Sequence, residues 1–190
     1  MPLNIYIISH PIIKILSNPI INTKENQYTN KYYYEKYLGF LLIYETLRKY
    51  VKIRKFYIKS LKSIRNFYLT NTGTKYLIFT HLSTHYKLIA DISILLPDIE
   101  IINIEHKIHS NFGLDSFFKI QDNTNTFILE SVIKDNKIID LVEYLHQKKQ
   151  IKLDNINIVC ISSYQKILSQ LNYKYPKLKV YTTEIIYNKK

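Results

Sequence analysis

Apolar residues recur between positions 31 and 50 at Tyr33, Tyr37, Phe40, Tyr44 and Leu47, in steps of four and three that place them on one face of a helix. Leu38, Leu41 and Leu42 widen that stripe beyond what a surface helix needs, so this helix is expected to pack on two sides, within the domain or against a partner. Upstream, residues 3–8 form an apolar run of strand length, a short strand or an N-terminal arm. His10-Pro11 interrupts it, because proline disfavours the helical state of the residue before it. Residues 52–66 are basic and periodically apolar, and neither helix nor strand is assigned to them.

The pattern becomes regular after the turn signal Asn71-Thr72-Gly73. It predicts a strand over 76–80, a helix over 84–96 closed by Pro97, and a strand over 100–104. A polar stretch follows over 105–125, then a strand over 126–130 and a helix over 138–148 with Ile138, Leu141, Val142 and Leu145 turned inward. A strand over 156–161, a short helix over 164–171 and a last strand over 178–182 complete the chain. This alternation predicts an α/β fold with a central, mainly parallel sheet flanked by helices, since Ile-rich strands without polar alternation are buried on both faces. Right-handed crossovers then put a ligand site at the carboxyl ends of the strands, near a change in strand order. With no internal repeat or linker, the expected organisation is one domain over 1–190, with an N-terminal helical region over 1–70 and an α/β core over 71–190.

Composition changes how the charge is read. Of 190 residues, 33 are Ile and 18 Tyr, against three Gly, one Ala and no Trp, a contrast between A/T-rich and G/C-rich codons that points to genomic bias. The formal net charge of +12 suits a polyanion partner. Yet only three of the 27 basic residues are Arg, the type best suited to bidentate phosphate contacts. The surplus concentrates between Lys31 and Lys75, where eleven basic residues meet two acidic ones, either a surface for RNA or a solvated face. Cys160, the single cysteine, sits in the apolar run Ile156-Asn157-Ile158-Val159-Cys160-Ile161 and reads as a core thiol rather than a disulfide or metal ligand. No apolar span of about 20 residues and no basic-then-apolar leader is present, so the expectation is a soluble, intracellular protein without membrane contact.

The strand exits carry the candidate chemistry. His81 and His85 lie four apart without an acidic companion at metal-site spacing, and His106 and His109 are isolated in the polar stretch; all four read as surface histidines. Glu130 ends a strand before a helix, where an acid can hold ribose hydroxyls. The following Ser131-Val132-Ile133-Lys134-Asp135-Asn136-Lys137 contains no glycine, although a phosphate cradle needs backbone amides in conformations that glycine permits. No nucleotide-binding, hydrolase or zinc-protease motif occurs.

In order and spacing, several segments resemble the uracil phosphoribosyltransferases of the type I phosphoribosyltransferase fold. His10-Pro11-Ile12-Ile13 resembles the family's opening His-Pro-Leu, Asn22-Thr23-Lys24 follows at suitable spacing, and Leu42-Ile43-Tyr44-Glu45-Thr46 resembles its Leu-x-Tyr-Glu-Ala/Thr. Phe117-Phe118-Lys119-Ile120 resembles the aromatic-aromatic-Gln-Lys-Leu stretch, and Pro176-Lys177-Leu178-Lys179-Val180-Tyr181-Thr182 the Pro-x-Val-x-Leu-Tyr-Thr strand. The departures fall on the family's ligand contacts: Ser83-Thr84-His85 stands at its Arg-Ala-Gly, and Glu130 to Ile138 at its Asp-Pro-x-x-Ala-Thr-Gly-Gly-Ser. The family's Gly-rich uracil-recognising tail has no counterpart after Ile186. The resemblance therefore implies a degenerate homologue, a pseudoenzyme with the parent fold, without catalytic, cofactor-binding or metal residues and without a cofactor. Binding of phosphoribosyl diphosphate and uracil is expected to be lost. The resemblance also implies a homodimer. Alternative readings are an active enzyme forming UMP and a basic RNA-binding module. The codon bias and an N-terminus without room for a transit peptide suggest a plastid-encoded protein of the chloroplast stroma, or else the cytoplasm of an AT-rich bacterium.

Overall fold

The computed structural model describes residues 2–22, 31–60, 63–70, 73–104 and 123–187. Its centre is a six-stranded, wholly parallel sheet in the order β1-β8-β7-β6-β4-β5. The strands are β1 (Asn4–Ile7), β4 (Lys75–Thr80), β5 (Ile99–Asn103), β6 (Thr124–Ile133), β7 (Ile156–Tyr164) and β8 (Lys179–Ile186). The helices are α1 (Pro11–Asn22), α2 (Lys31–Leu47), α3 (Leu82–Ile89), α4 (Ile92–Leu95), α5 (Lys137–Glu143) and α6 (Gln165–Lys174). A π-helical turn over Tyr144–Lys148 extends α5. The expected α/β fold with helices on a central parallel sheet is therefore the fold observed.

Strand residues alternate between two cores. On one face Leu77, Phe79, Ile128, Ile158, Cys160 and Val180 pack with α5 and α6. On the other, Tyr76, Ile78, Phe127, Leu129, Val159 and Tyr181 pack with α1 to α4. Across β4, β6, β7 and most of β8 both faces are largely buried, which is why those strands carry Ile, Val, Leu and Phe without polar alternation, while the edge strand β1 is exposed. The inward stripe expected around α5 is observed, with Ile138, Leu141, Val142 and Leu145 all buried. Burial without a charged neighbour to stabilise a thiolate pushes the Cys160 thiol up to about 12, so it is an inert core group.

Crossovers fix the sheet order. From β4 the chain runs through α3 and α4 on one face to β5, at the sheet edge. From β6 it moves the opposite way through α5 and α6 on the other face to β7 and β8. Helices that change face when the sheet direction reverses obey the right-handed rule, and the reversal lies between β4 and β6.

Two expectations are corrected. The region over 1–70 is not helical throughout: β2 (Ile53–Ser60) and β3 (Ser63–Thr70) form an antiparallel hairpin apart from the main sheet. Its basic, β-branched and aromatic residues alternate with period two, which reads weakly as helix or strand when neither face is buried. Second, the buried face of α2 is Leu38, Leu42, Ile43, Thr46 and Leu47, while Tyr33, Tyr37 and Tyr44 are exposed. Aliphatic side chains took the core, because a tyrosine left at the surface keeps its hydroxyl hydrated while a leucine has nothing to gain there.

The end of α2 is held by a polar knot under the sheet. The Tyr50 hydroxyl donates to Asn157 Oδ1 at 2.6 Å and lies 2.8 Å from the Tyr181 hydroxyl, while Asn157 Nδ2 donates to Thr126 O at 3.3 Å. Asn157 is fully buried, so these bonds satisfy a side chain that would otherwise cost stability. The expected helix over 84–96 breaks at Ala90-Asp91 into α3 and α4. Helix α2 approaches α3 so closely that a Cβ on Gly39 would stand 2.1 Å from the Leu88 carbonyl oxygen. Backbone cannot yield to a methyl group at that distance, so Gly39→Ala is expected to lower unfolding stability by about 1–3 kcal/mol, read from urea denaturation. An unchanged midpoint would show that α2 and α3 separate at little cost.

Candidate functional site

At the reversal, the segments that follow β4 and end β6, with the start of α5, line a cleft of about 470 Å³. Its walls include His81, Thr84 and His85 from the start of α3 and Glu130, Ser131 and Lys137 from the exit of β6 and the start of α5. Strand β6 runs three residues beyond the predicted end, to Ile133, so the turn into α5 is only Lys134-Asp135-Asn136.

His85 is the buried centre of this cleft, which corrects its reading as a surface histidine. Its Nδ1 lies 3.3 Å from both Thr80 Oγ1 and Thr84 Oγ1. Those hydroxyls donate to the carbonyls of Leu129 at 2.9 Å and His81 at 3.2 Å, so each has its oxygen free to accept from Nδ1–H. On the other side of the ring, Nε2 accepts from the Ser131 amide at 3.4 Å and faces Ser131 Oγ at 3.1 Å. The surroundings thus assign the proton to Nδ1 and leave Nε2 as an acceptor. Desolvation, with His81 as a weaker second cause, depresses the imidazole to about 4, so His85 is neutral at physiological pH.

Glu130 Oε2 stands 3.6 Å from His85 Nε2. A neutral imidazole presenting a lone pair gives no compensating charge, and burial, reinforced by Asp135, raises the carboxyl to about 7 against a smaller opposing effect of Lys137. The two groups therefore form no salt bridge: the imidazole is uncharged, and the carboxyl is protonated only below about pH 7. Lys134, Asp135 and Lys137 are exposed at the rim; Asp135 Oδ1 accepts the Lys137 amide at 3.2 Å, and its Oδ2 lies 3.9 Å from Lys137 Nζ. Among the described residues no group of three His, Cys, Asp or Glu side chains converges to hold a metal ion.

The structure therefore brings Glu130, Ser131, Lys137 and the Thr84-His85 pair to one cleft, as the order of the motifs implied. His106, His109 and the Phe117-Phe118-Lys119-Ile120 segment lie outside the described residues, as do Thr23 and Lys24. Sequence reasoning missed His85 as a structural group of the site. The signal was available, since His85, Leu88, Ile89 and Ile92 continue one helical stripe. A larger cleft of about 580 Å³ flanks β1, lined by Tyr6, His10, Glu45, Arg48 and Lys49 among others. There Lys49 Nζ sits 3.6 Å over the Tyr6 ring, which stacks on Tyr181 at 4.9 Å. No helix among the described residues is long and apolar enough to cross a membrane.

No family model matches the chain. A protein described as a uracil phosphoribosyltransferase homolog from Pyropia yezoensis is 26% identical over 189 residues, 97% of this chain and 89% of that protein. The AQ2163 protein from Aquifex aeolicus shares the fold at a TM-score of 0.70 and 12% identity, covering 96% of this chain and 88% of its own. A hypoxanthine-guanine phosphoribosyltransferase from Bacillus anthracis aligns at a TM-score of 0.49 and 12% identity, over 87% of this chain and 84% of that one. The chain thus has weak sequence similarity over nearly its whole length to a protein described as a uracil phosphoribosyltransferase homolog, and it shares the α/β fold of the Aquifex aeolicus protein.

The Glu130 carboxyl gives the site a pH signature. Its folded pKa, about 7, lies above the ordinary 4.5, so the folded state holds this proton more tightly than the unfolded state does. The stability cost of ionised Glu130 is absent below pH about 4.5 and complete above pH about 7. Glu130→Gln, which mimics the protonated acid, is expected to exceed the parent in stability at pH 8.5 by on the order of 1–3 kcal/mol, the gap closing toward pH 4.5. Urea unfolding of both proteins across that range checks it, and a gap independent of pH would refute the raised Glu130 carboxyl.

Proposed function

We propose that this chain is a degenerate uracil phosphoribosyltransferase homologue that keeps the fold and has lost most or all of the transfer of phosphoribosyl groups to uracil. The carrying observation is the buried His85–Glu130 pair, without a positive charge, lining the cleft at the β4–β6 reversal. Phosphoribosyl diphosphate is a polyanion, and transfer from it relies on oriented donors and cations that stabilise the leaving diphosphate. Here the buried imidazole is uncharged, the carboxyl beside it turns anionic as pH rises past about 7, and Asp135 adds a second negative charge at the rim. The short turn Lys134-Asp135-Asn136 offers no glycine to turn successive amides inward. Lys137 is exposed and lies nearest Asp135. In a site that works by preorganised electrostatics, removal of a single donor costs on the order of 10²-fold to 10³-fold in rate, and here several are replaced together.

Calorimetric titration with phosphoribosyl diphosphate and magnesium tests binding without assuming the acceptor base. The expected result is no saturable heat and no ligand-induced rise in melting temperature. Incubation with uracil under the same conditions is expected to form no UMP at an enzymatic rate. A micromolar dissociation constant, or turnover, would make this an active enzyme of altered specificity.

The same reading carries a homodimer. Tyr33, Tyr37 and Tyr44 leave one side of α2 apolar and exposed, a face suited to cover by a second copy. Light scattering during size-exclusion chromatography is expected to give twice the chain mass; a mass near 22.8 kDa at micromolar concentration would exclude a stable dimer.

A further inference from the structure

The β2–β3 hairpin has two chemically different faces. In its register Phe56 opposes Phe67, Ile58 opposes Arg65 and Arg54 opposes Leu69, and these six residues share one side. The other side carries Lys55, Tyr57 and Lys59 from β2 with Ile64, Asn66 and Tyr68 from β3, flanked by Ile53 at the strand start. Tyr57 is 66% exposed and Tyr68 63%, although large aromatic rings ordinarily find cover.

Three observations converge on this second face. Lys55 lies directly opposite Tyr68, while Tyr57 is diagonal to it, and such diagonal positions sit about 7–8 Å apart. The Lys55 ammonium bridges the two rings, 5.1 Å from the Tyr57 centroid and 5.9 Å from that of Tyr68. Lys59 continues the positive charge along the strand. Finally, no acidic residue occurs anywhere between Glu45 and Asp91, so the hairpin carries no carboxylate of its own. Paired exposed rings with interleaved cations on an uncompensated basic strand form a platform on which unstacked bases lie while phosphates meet ammonium groups. A duplex, whose bases are already stacked, cannot use the rings. A protein partner is better matched by the opposite face, with Phe56, Ile58, Phe67 and Leu69.

We propose that the Tyr57/Tyr68 face of the hairpin binds single-stranded nucleic acid, by base stacking on the two rings and phosphate contacts from Lys55 and Lys59. This inference is independent of the cleft and of whether the chain retains phosphoribosyl transfer.

Fluorescence anisotropy with a labelled 12-nucleotide oligouridylate and the full-length protein tests it, with heparin as a polyanion lacking bases. Tyr57→Ala with Tyr68→Ala is expected to weaken oligouridylate binding by roughly fivefold to 100-fold per ring while leaving heparin binding within about twofold. Lys55→Gln with Lys59→Gln is expected to weaken both ligands and to reduce the salt slope for oligouridylate by about 1.4, since two counterions fewer are released. Phe56→Ala with Phe67→Ala, on the opposite face, is expected to leave affinity unchanged. Circular dichroism of each variant checks the fold, which the hairpin, standing apart from both cores, does not support. The proposal fails if oligouridylate does not bind at low salt, if the tyrosine pair changes both ligands equally, if the phenylalanine pair carries the loss, or if the tyrosine substitutions alter only the oligomeric mass.

Discussion

The central strands of a parallel sheet are covered on both faces. Its strands can be joined only by crossovers, and those crossovers must lay helices on both sides to bury the Ile, Val and Leu side chains that the strands carry. Most other features follow from that demand. Helices α5 and α6 cover one face because β6, β7 and β8 succeed one another in one direction; α3 and α4 cover the other because β4 leads to β5 in the opposite direction. The reversal lies between β4 and β6, and the cleft sits at their carboxyl ends. Cleft position is thus a consequence of strand order before any particular side chain is considered.

What fills the cleft depends on how α3 is seated. Gly39 lets the backbone of α2 press against Leu88, one helical turn beyond His85, and that contact fixes the axis from which His85 projects. The imidazole is then surrounded by Thr80, Thr84 and Ser131, enough hydroxyls and amides to satisfy a neutral ring from both sides. Burial favours the uncharged histidine, and burial likewise raises the Glu130 carboxyl, with only a smaller opposing effect of Lys137. A site arranged in this way is stable as a packed polar cluster. Under the proposed function, the same arrangement opposes the charge balance that a polyphosphorylated sugar requires.

The hairpin lies outside this economy of burial. Its side chains contribute to neither core, yet its register is complete from Ile53 opposite Thr70 to Ser60 opposite Ser63. Isolated two-stranded hairpins are marginal in water, so rings and cations that stay on its surface at that cost point to use by a ligand or partner rather than to packing.

The sequence by itself determined the α/β class, the parallel sheet and the places of β4 to β8, because unbroken Ile-rich runs bounded by polar turns have few other solutions. It also determined that the turn after Glu130 carries Asp135 and no glycine, a matter of identity that folding cannot alter. The tertiary structure alone decided which side of α2 is buried, since Leu38 and Leu42 compete with Tyr37 and Tyr44 for a core whose shape is set by distant strands. It alone decided that residues 53–70 are a hairpin, because alternation without a buried face carries no local preference strong enough to read. It alone decided that His85 is neutral and central. The partners of His85 include Ser131, 46 residues away in β6, and the neighbouring Glu130, and sequence separation says nothing of a distance that only the pairing of β4 with β6 creates.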